Sequence, residues 1–165
     1  MSGSLLTPTS VAELVDAVRS APRVVAVGAG TKPALARVAE EFRRVSTTRL
    51  RGIIEYEPSE FTFTALAGTP VSEISSALAE QGQYLPFDPV WGEAGSTLGG
   101  ALAAGVSGPG RFRFGGLRDF VLGVRFVDGE GRLLRLGGKV VKNAAGFDVP
   151  KFFVGSAGRF GVFAE

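Results

Sequence analysis

The chain has 165 residues and contains neither cysteine nor histidine. Without cysteine it holds no disulfide, no thiolate nucleophile and no cysteine-ligated metal or iron–sulfur site of its own. Without histidine it lacks the commonest general base, the commonest zinc ligand and any Ser–His triad. Triad hydrolysis and zinc catalysis are excluded, no metal site is expected, and chemistry here has to come from a bound cofactor. No apolar run reaches the roughly 18 residues that cross a bilayer. The opening MSGSLLTPTS lacks the basic start and apolar segment of a secretory signal. Together these features predict a cytoplasmic protein. Net charge is also scarce: 18 basic against 16 acidic residues leave +2, too little to argue for nucleic acid.

Glycine is abundant, at 24 residues, within an otherwise ordinary globular composition of 45% apolar and 21% charged residues. The length fits one domain, or two tightly knit subdomains. Ser10 and Glu13 have capping-box spacing, and Val11, Leu14, Val15 and Val18 repeat at helical intervals, so a helix is expected there, stopped by Pro22. Val24 to Val27 read as a strand, followed by a turn at Gly28-Ala29-Gly30 and an amphipathic helix from Pro33 to Arg44. LRGIIEYEP and FTFTALAG read as strands. Thr69 and Pro70 open a helix carrying Val71, Ile74 and Leu78, and Gly82 closes it. FVLGVRFVDGEGRLLRL predicts a hairpin around residues 128–131. A short helix near Val149 to Phe153 and a last apolar run near Val162 complete an α+β pattern.

Two glycine-containing stretches invite a ligand. VAVGAGTKP ends a strand in glycines whose N–H groups could hold phosphate. It fails the dinucleotide fingerprint, because Pro33 stands in place of the third glycine and Arg49, Leu50 and Arg51 replace the ribose-binding acid. No Walker A sequence exists. A plain tight turn is the alternative. GSTLGGALAAGVSG offers closely spaced N–H groups with few side chains in the way. The alternative is a flexible surface loop, against which Leu98, Leu102 and Val106 recur every fourth residue, as in a packed segment.

GAGTK, AGTPVSEISSALAEQGQYLPFDP, TLGGALAAGVSG, FGGLRDFVLGV and KNAAGFDVPKFFVGSAGRFGVF follow one another in order. This order resembles the FAD-binding domain of the vanillyl-alcohol oxidase and p-cresol methylhydroxylase (PCMH-type) family, and within it the glycolate oxidase E-subunit branch. The resemblance covers nearly the whole chain. It implies two α+β subdomains, about 1–57 and 58–165, with FAD between them. It assigns the diphosphate to Gly28, Ala29, Gly30, Thr31 and Lys32. It places Pro89, Thr97, Leu98, Gly99 and Gly100 along the flavin cleft, and Ala103, Gly105 and Gly108 beside the cofactor. Gly115, ahead of Arg118-Asp119, and Gly161-Val162, near the adenosine half, complete the set. Relatives often carry Thr-Asn at Ala104-Gly105, Tyr at Phe147 and Leu at Phe160. They also continue into a cap or substrate domain, which the resemblance implies is absent here, so no catalytic residue is assigned.

The resemblance implies a FAD-binding subunit or fragment of an oxidoreductase that converts a 2-hydroxy acid, such as glycolate, to the 2-oxo acid. Partner subunits, one with iron–sulfur centres, would take the electrons, and membrane association would come only through them. FAD would be non-covalent, since histidyl and cysteinyl attachment are impossible. One alternative is a non-catalytic FAD-binding module that needs partners. The other is single-stranded nucleic-acid binding through RFRFGGLR, where Arg111, Arg113 and Arg118 alternate with Phe112 and Phe114. The plain reading of that segment puts Phe on one side and solvated Arg on the other.

Overall fold

Helix α1 (Val11–Arg19) starts where Ser10 Oγ accepts the Glu13 N–H at 3.2 Å. The Glu13 carboxylate closes the cap from the other side, accepting the Thr9 N–H at 2.8 Å. That N–H donor is the first cause holding the Glu13 carboxyl below its ordinary range. The computed structural model describes residues 5–35, 41–139 and 148–165. β1 (Val24–Val27) pairs in parallel with β2 (Arg43–Ser46), in register from Val24 opposite Arg43 to Val27 opposite Ser46. The helix expected from Pro33 to Arg44 is therefore corrected. A single 3₁₀ turn spans Pro33–Leu35, residues 36–40 lie outside the described residues, and Arg43 and Arg44 belong to a strand. The parallel ladder with β1 overrides the weak helical periodicity of a short segment.

β3 (Ile53–Glu57) and β4 (Thr62–Ala65) form an antiparallel pair. α2 (Val71–Ala79) buries Val71, Ile74 and Leu78; Glu80 is its C-cap, and Gly82, with a φ of +66°, turns the chain just beyond. Thr69 does not cap it. Its hydroxyl donates to the Leu66 carbonyl at 2.7 Å and accepts the Gly52 N–H at 2.9 Å, so it ties the β3 entrance to the turn before α2. α3 (Leu98–Ala104) lies inside the glycine-rich stretch and is capped by Thr97 Oγ1, which accepts the Gly100 N–H. Two single-turn helices follow, α4 (Arg111–Phe114) and α5 (Leu117–Phe120). The expected hairpin is β5 (Gly123–Val127) with β6 (Leu133–Gly137). Short helix α6 (Val149–Phe153) leads to β7 (Val162–Phe163), which pairs with β5.

Two apolar clusters hold these elements. One joins Ile74 and Leu78 of α2 to Ala101 and Leu102 of α3, Val124 and Phe126 of β5, Phe153 and Phe163. The other joins Leu14 and Val18 of α1 to Val45, Leu50, Val127, Val162 and Ala164. Alternate residues of β5 and β7 enter different clusters, so this sheet is the wall the two cores share.

Candidate functional site

The first loop leaves β1 at Gly28 and turns through Gly30, whose φ of +70° is a conformation glycine adopts without strain. The N–H groups of Gly28, Ala29, Gly30 and Thr31 have no acceptor among the described residues. Ala29 and Gly30 are exposed, and a Cβ placed on Gly30 would meet nothing within 4 Å. Among the described residues this is a run of donors without acceptors, with open space above Gly30.

The loop rests on the N-terminus of α3. A Cβ on Gly28 would stand 2.7 Å from Thr97 Oγ1 and 3.8 Å from Gly100 Cα. Beside this contact, the Lys32 ammonium donates to Ser96 Oγ at 2.5 Å and to Thr31 Oγ1 at 3.2 Å, and sits 5.5 Å from the centre of the Trp91 ring. Burial pulls the Lys32 pKa below its ordinary value. Residues 28–32 and the start of α3 thus meet in space.

The donors of α3 are already used. Leu98 N–H goes to the Thr69 carbonyl, Gly99 N–H to Ala67, Gly100 N–H to Thr97 Oγ1 and Ala101 N–H to the Thr97 carbonyl. The expectation of free N–H groups along this stretch is corrected for residues 98–101. The glycines serve close packing instead: a Cβ on Gly99 would lie 2.8 Å from Ala67 Cβ, and one on Gly105 2.8 Å from the Gly155 Cα and N. A third segment closes the group. Gly155 N–H donates to Leu102 and Ala157 N–H to Ala103, while Gly158 approaches Ala26 of β1. Ala157 takes a φ of +52°, a strained conformation for a residue with a Cβ. Within this segment Ser156 is 8% exposed and its Oγ has no hydrogen-bond partner among the described residues.

The structure therefore groups Gly28, Ala29, Gly30, Thr31 and Lys32 with Thr97 and Gly100. Ala103 and Gly105 join them through residues 155–158. Gly161 and Val162 sit behind this group, where Val162 is buried opposite Val127. Pro89, Gly108 and Gly115 form a separate layer around Ser107: Pro89 bridges Ser107, and Ser107 Oγ accepts the Leu117 N–H just after Gly115. Gly108 N–H donates to the Asp88 carbonyl at 2.6 Å, and Gly116 N–H to Asp119 at 2.8 Å. Leu98 and Gly99 face Ala67 and the apolar core. Sequence reasoning missed Ser96, Trp91 and Ser156. Ser96 adjoins the Thr-Leu-Gly-Gly motif, but nothing in the sequence links Trp91 to Lys32. The Phe147 and Lys142-Asn143 positions lie outside the described residues.

The plain reading of RFRF is also corrected. Phe112 is 91% exposed and Phe114 41%, so these rings do not share a buried side. The segment is one helical turn with Arg113 over Phe114 and Phe114 edge-on to Tyr84. No group of three or more metal-binding side chains occurs among the described residues, and no described helix is long and apolar enough to cross a membrane.

Comparison with known proteins adds the cofactor. A family described as FAD binding domain matches residues 4–137. Glycolate oxidase subunit GlcE of Escherichia coli K12 is 47% identical over 70% of this chain and 33% of its own length. A D-2-hydroxyglutarate dehydrogenase of Xanthomonas citri pv. viticola is 32% identical over 98% of this chain and 35% of its own. The chain thus spans about a third of the length of these relatives. A solved alkyldihydroxyacetonephosphate synthase superposes with a TM-score of 0.78 at 27% identity, over 97% of this chain and 30% of that one. The α+β architecture matches the expected fold, and the chain belongs to the FAD-binding domain family, with FAD as its cofactor.

Proposed function

We propose that residues 28–32 hold the diphosphate of FAD, and that the chain is the FAD-binding part of an oxidoreductase converting a 2-hydroxy acid, such as glycolate, to the 2-oxo acid. The observation that supports this best is the row of four N–H donors at residues 28–31 that find no acceptor among the described residues, with the Lys32 ammonium anchored at its edge and open space above Gly30. A doubly charged anion supplies the acceptors such a row lacks. These residues fit the group.

The segment from Thr97 to Gly105 then acts as the floor that seats the loop. Its donors are spent inside the protein, so its contribution is shape: small residues at 99, 100 and 105 bring α3 against Ala67, Thr97 and Gly155. Ala103 and Gly161-Val162 border the same floor, and Pro89, Gly108 and Gly115 hold its far side through Ser107 and Asp88. Bound FAD supplies the hydride chemistry. The chain's own residues bind and orient it, and no histidine or cysteine exists to attach it covalently.

The substrate reading rests on the names of the relatives: a glycolate oxidase subunit and a 2-hydroxyglutarate dehydrogenase. We assign no base, and electrons would leave to partner subunits that carry the iron–sulfur centres this cysteine-free chain cannot. A cytoplasmic location goes with this reading. Titration of the purified protein with FAD, followed by flavin absorption and quenching of Trp91, tests it. Saturable one-to-one binding is expected, with little glycolate-dependent dye reduction by the isolated chain. Absence of saturable binding refutes the assignment.

A further inference from the structure

Lys32 stands at the end of the donor row, and among the described residues no carboxylate pairs with it. Neutral groups hold it instead. Ser96 Oγ and Thr31 Oγ1 accept two of the three ammonium donors, at 2.5 and 3.2 Å. The centre of the Trp91 ring lies 5.5 Å from Nζ, within reach of a cation–π contact. Both holders are themselves fixed. Ser96 is fully buried; its N–H donates to the Trp91 carbonyl at 3.0 Å, and its carbonyl accepts the Val71 N–H at 2.8 Å, at the start of α2. Trp91 takes a φ of +60° and Asp88 one of +52°. The loop sustains these conformations because it is tied at both ends, by Ser96 N–H on the Trp91 carbonyl and by Gly108 N–H on the Asp88 carbonyl at 2.6 Å. Strain persists where the surroundings over-determine it, and it clusters at functional positions. Trp91 stays 48% exposed, so filling the core is not what the strained loop achieves.

We propose that Trp91 and Ser96 are positioning residues of the anion site: the ring and the hydroxyl set the Lys32 ammonium at the end of the row formed by residues 28–31 before any ligand arrives. The proposal rests on the reading that this row holds the diphosphate. Neutral holders suit the task. A carboxylate would also place the ammonium, but it would cancel the charge that draws an anion. A hydroxyl and a ring face fix the group and leave its charge intact. Two donors are spent inside the protein, and the third remains for the ligand. Ordering a lysine side chain costs conformational entropy, and a preset ammonium has lost it before binding. Other titratable groups of the loop do not intervene. The Asp88 carboxylate accepts the Gly110 N–H at 3.4 Å, and Glu93 is exposed with no ion pair among the described residues. Burial, not a neighbouring charge, is what lowers the Lys32 pKa.

Trp91→Leu, Trp91→Phe and Ser96→Ala test this, each in the parent and in Lys32→Met. FAD is titrated by flavin absorption and inorganic pyrophosphate by calorimetry. Trp91→Leu keeps an apolar neighbour and removes the ring face. It is expected to raise Kd for FAD about fivefold, equivalent to about 1 kcal/mol, while Trp91→Phe stays within about twofold of the parent. In Lys32→Met the same Trp91→Leu change is expected to cost nothing further. Equal losses in the two backgrounds overturn the proposal, because Trp91 then acts on the ligand or the fold and not through Lys32. An unchanged Kd in Trp91→Leu overturns it too, as does Trp91→Phe binding as weakly as Trp91→Leu. A ligand-free measurement separates this role from the diphosphate reading. Protonation of Lys32 is followed through the pH dependence of its acetylation, read by mass spectrometry. The ring and the hydroxyl oxygen both favour the ammonium form, so Trp91→Leu and Ser96→Ala should titrate at lower pH than the parent, and Trp91→Phe together with it. An unmoved midpoint in the Leu and Ala variants, with FAD still bound by the parent, overturns the positioning role alone. A lowered midpoint, with neither FAD nor pyrophosphate bound by the parent, overturns the diphosphate reading, and the role of Trp91 and Ser96 falls with it.

Discussion

Replacing Gly28 by Ala probes the contact on which the site depends. Gly28 has no positive φ, so alanine meets no backbone penalty there, and the effect is steric. The new methyl would stand 2.7 Å from Thr97 Oγ1, a separation that real Cβ atoms do not show, and at an ordinary 3.8 Å from Gly100 Cα. Overpacking of this kind costs about 1–3 kcal/mol. Thr97→Ala removes the clashing oxygen but also the cap it gives α3, worth about 1 kcal/mol. If the two sites were independent, the double variant would lose the sum. Because the clash vanishes with Oγ1, it should lose little more than Thr97→Ala alone, giving a coupling of about 1–3 kcal/mol in urea unfolding. FAD titration of Gly28→Ala should show Kd raised about tenfold, equivalent to about 1.4 kcal/mol, because the free N–H groups are pushed off the α3 floor. Strict additivity in the cycle would refute the claim that loop and helix touch at this point. An unchanged Kd in Gly28→Ala would refute the claim that their contact positions the cofactor.

Lys32→Met should weaken FAD binding by about 1.5–3 kcal/mol, the range for a charge-assisted hydrogen bond. Burial depresses the Lys32 pKa, and the ammonium is the form that meets an anion. Affinity of the parent protein should therefore fall as pH rises through that lowered value, while Lys32→Met gives a flat profile; titrations between neutral and alkaline pH decide this. Gly30→Ala and Gly105→Ala should separate binding from folding. Both positions have positive φ, costing about 1–2 kcal/mol for alanine. Only Gly105→Ala also drives a methyl into the Gly155 backbone, so it should lose clearly more Tm, whereas Gly30→Ala should lose more FAD affinity. The Asp128 carboxylate accepts the Arg132 and Glu130 N–H groups and the Arg132 side chain. The Arg132 backbone donor is the first cause that lowers its pKa. Its stabilisation is present at neutral pH and lost as pH falls through the depressed value, so the Tm gap between the parent and Asp128→Asn should close in acid. Finally, the protein should bind single-stranded DNA poorly at moderate salt; tight salt-sensitive binding lost in Phe112→Ala would revive the Arg/Phe segment as a nucleic-acid surface.

Much of the fold was legible because its signals are local. Ser10 with Glu13 and the turn at residues 128–131 each act over a few residues, and each element formed; the strand expected from Phe61 begins at Thr62, because Phe61 turns the chain with a φ of +54°. The failures arose where a distant partner decides. Arg43 and Arg44 pair with β1, and Thr69 bonds Gly52, 17 residues away. Neither choice leaves a mark in its own window. The site was legible as an ordered set of motifs, while its wiring was not. Ser96 is found only by following the Lys32 ammonium across 64 residues. Trp91 is found only because the strained loop, with φ of +52° at Asp88 and +60° at Trp91, folds it under that ammonium.

Distances also separate two uses of glycine that sequence composition merges. At positions 28, 99, 100 and 105 an added Cβ would strike Thr97, Ala67, Thr97 and Gly155 respectively, so those glycines let protein approach protein. At Gly30 the same Cβ would meet nothing within 4 Å and the neighbouring N–H groups have no acceptor among the described residues, which on the proposed reading leaves room for the cofactor. The first group builds a rigid seat, and the second keeps a short row of donors bare above it. A helix N-terminus is the usual anion-binding device, yet α3 spends its first donors on Thr69, Ala67 and Thr97. The loop after β1, by contrast, keeps its N–H groups without an acceptor among the described residues. On the proposed reading the diphosphate sits there, with α3 as the support beneath it.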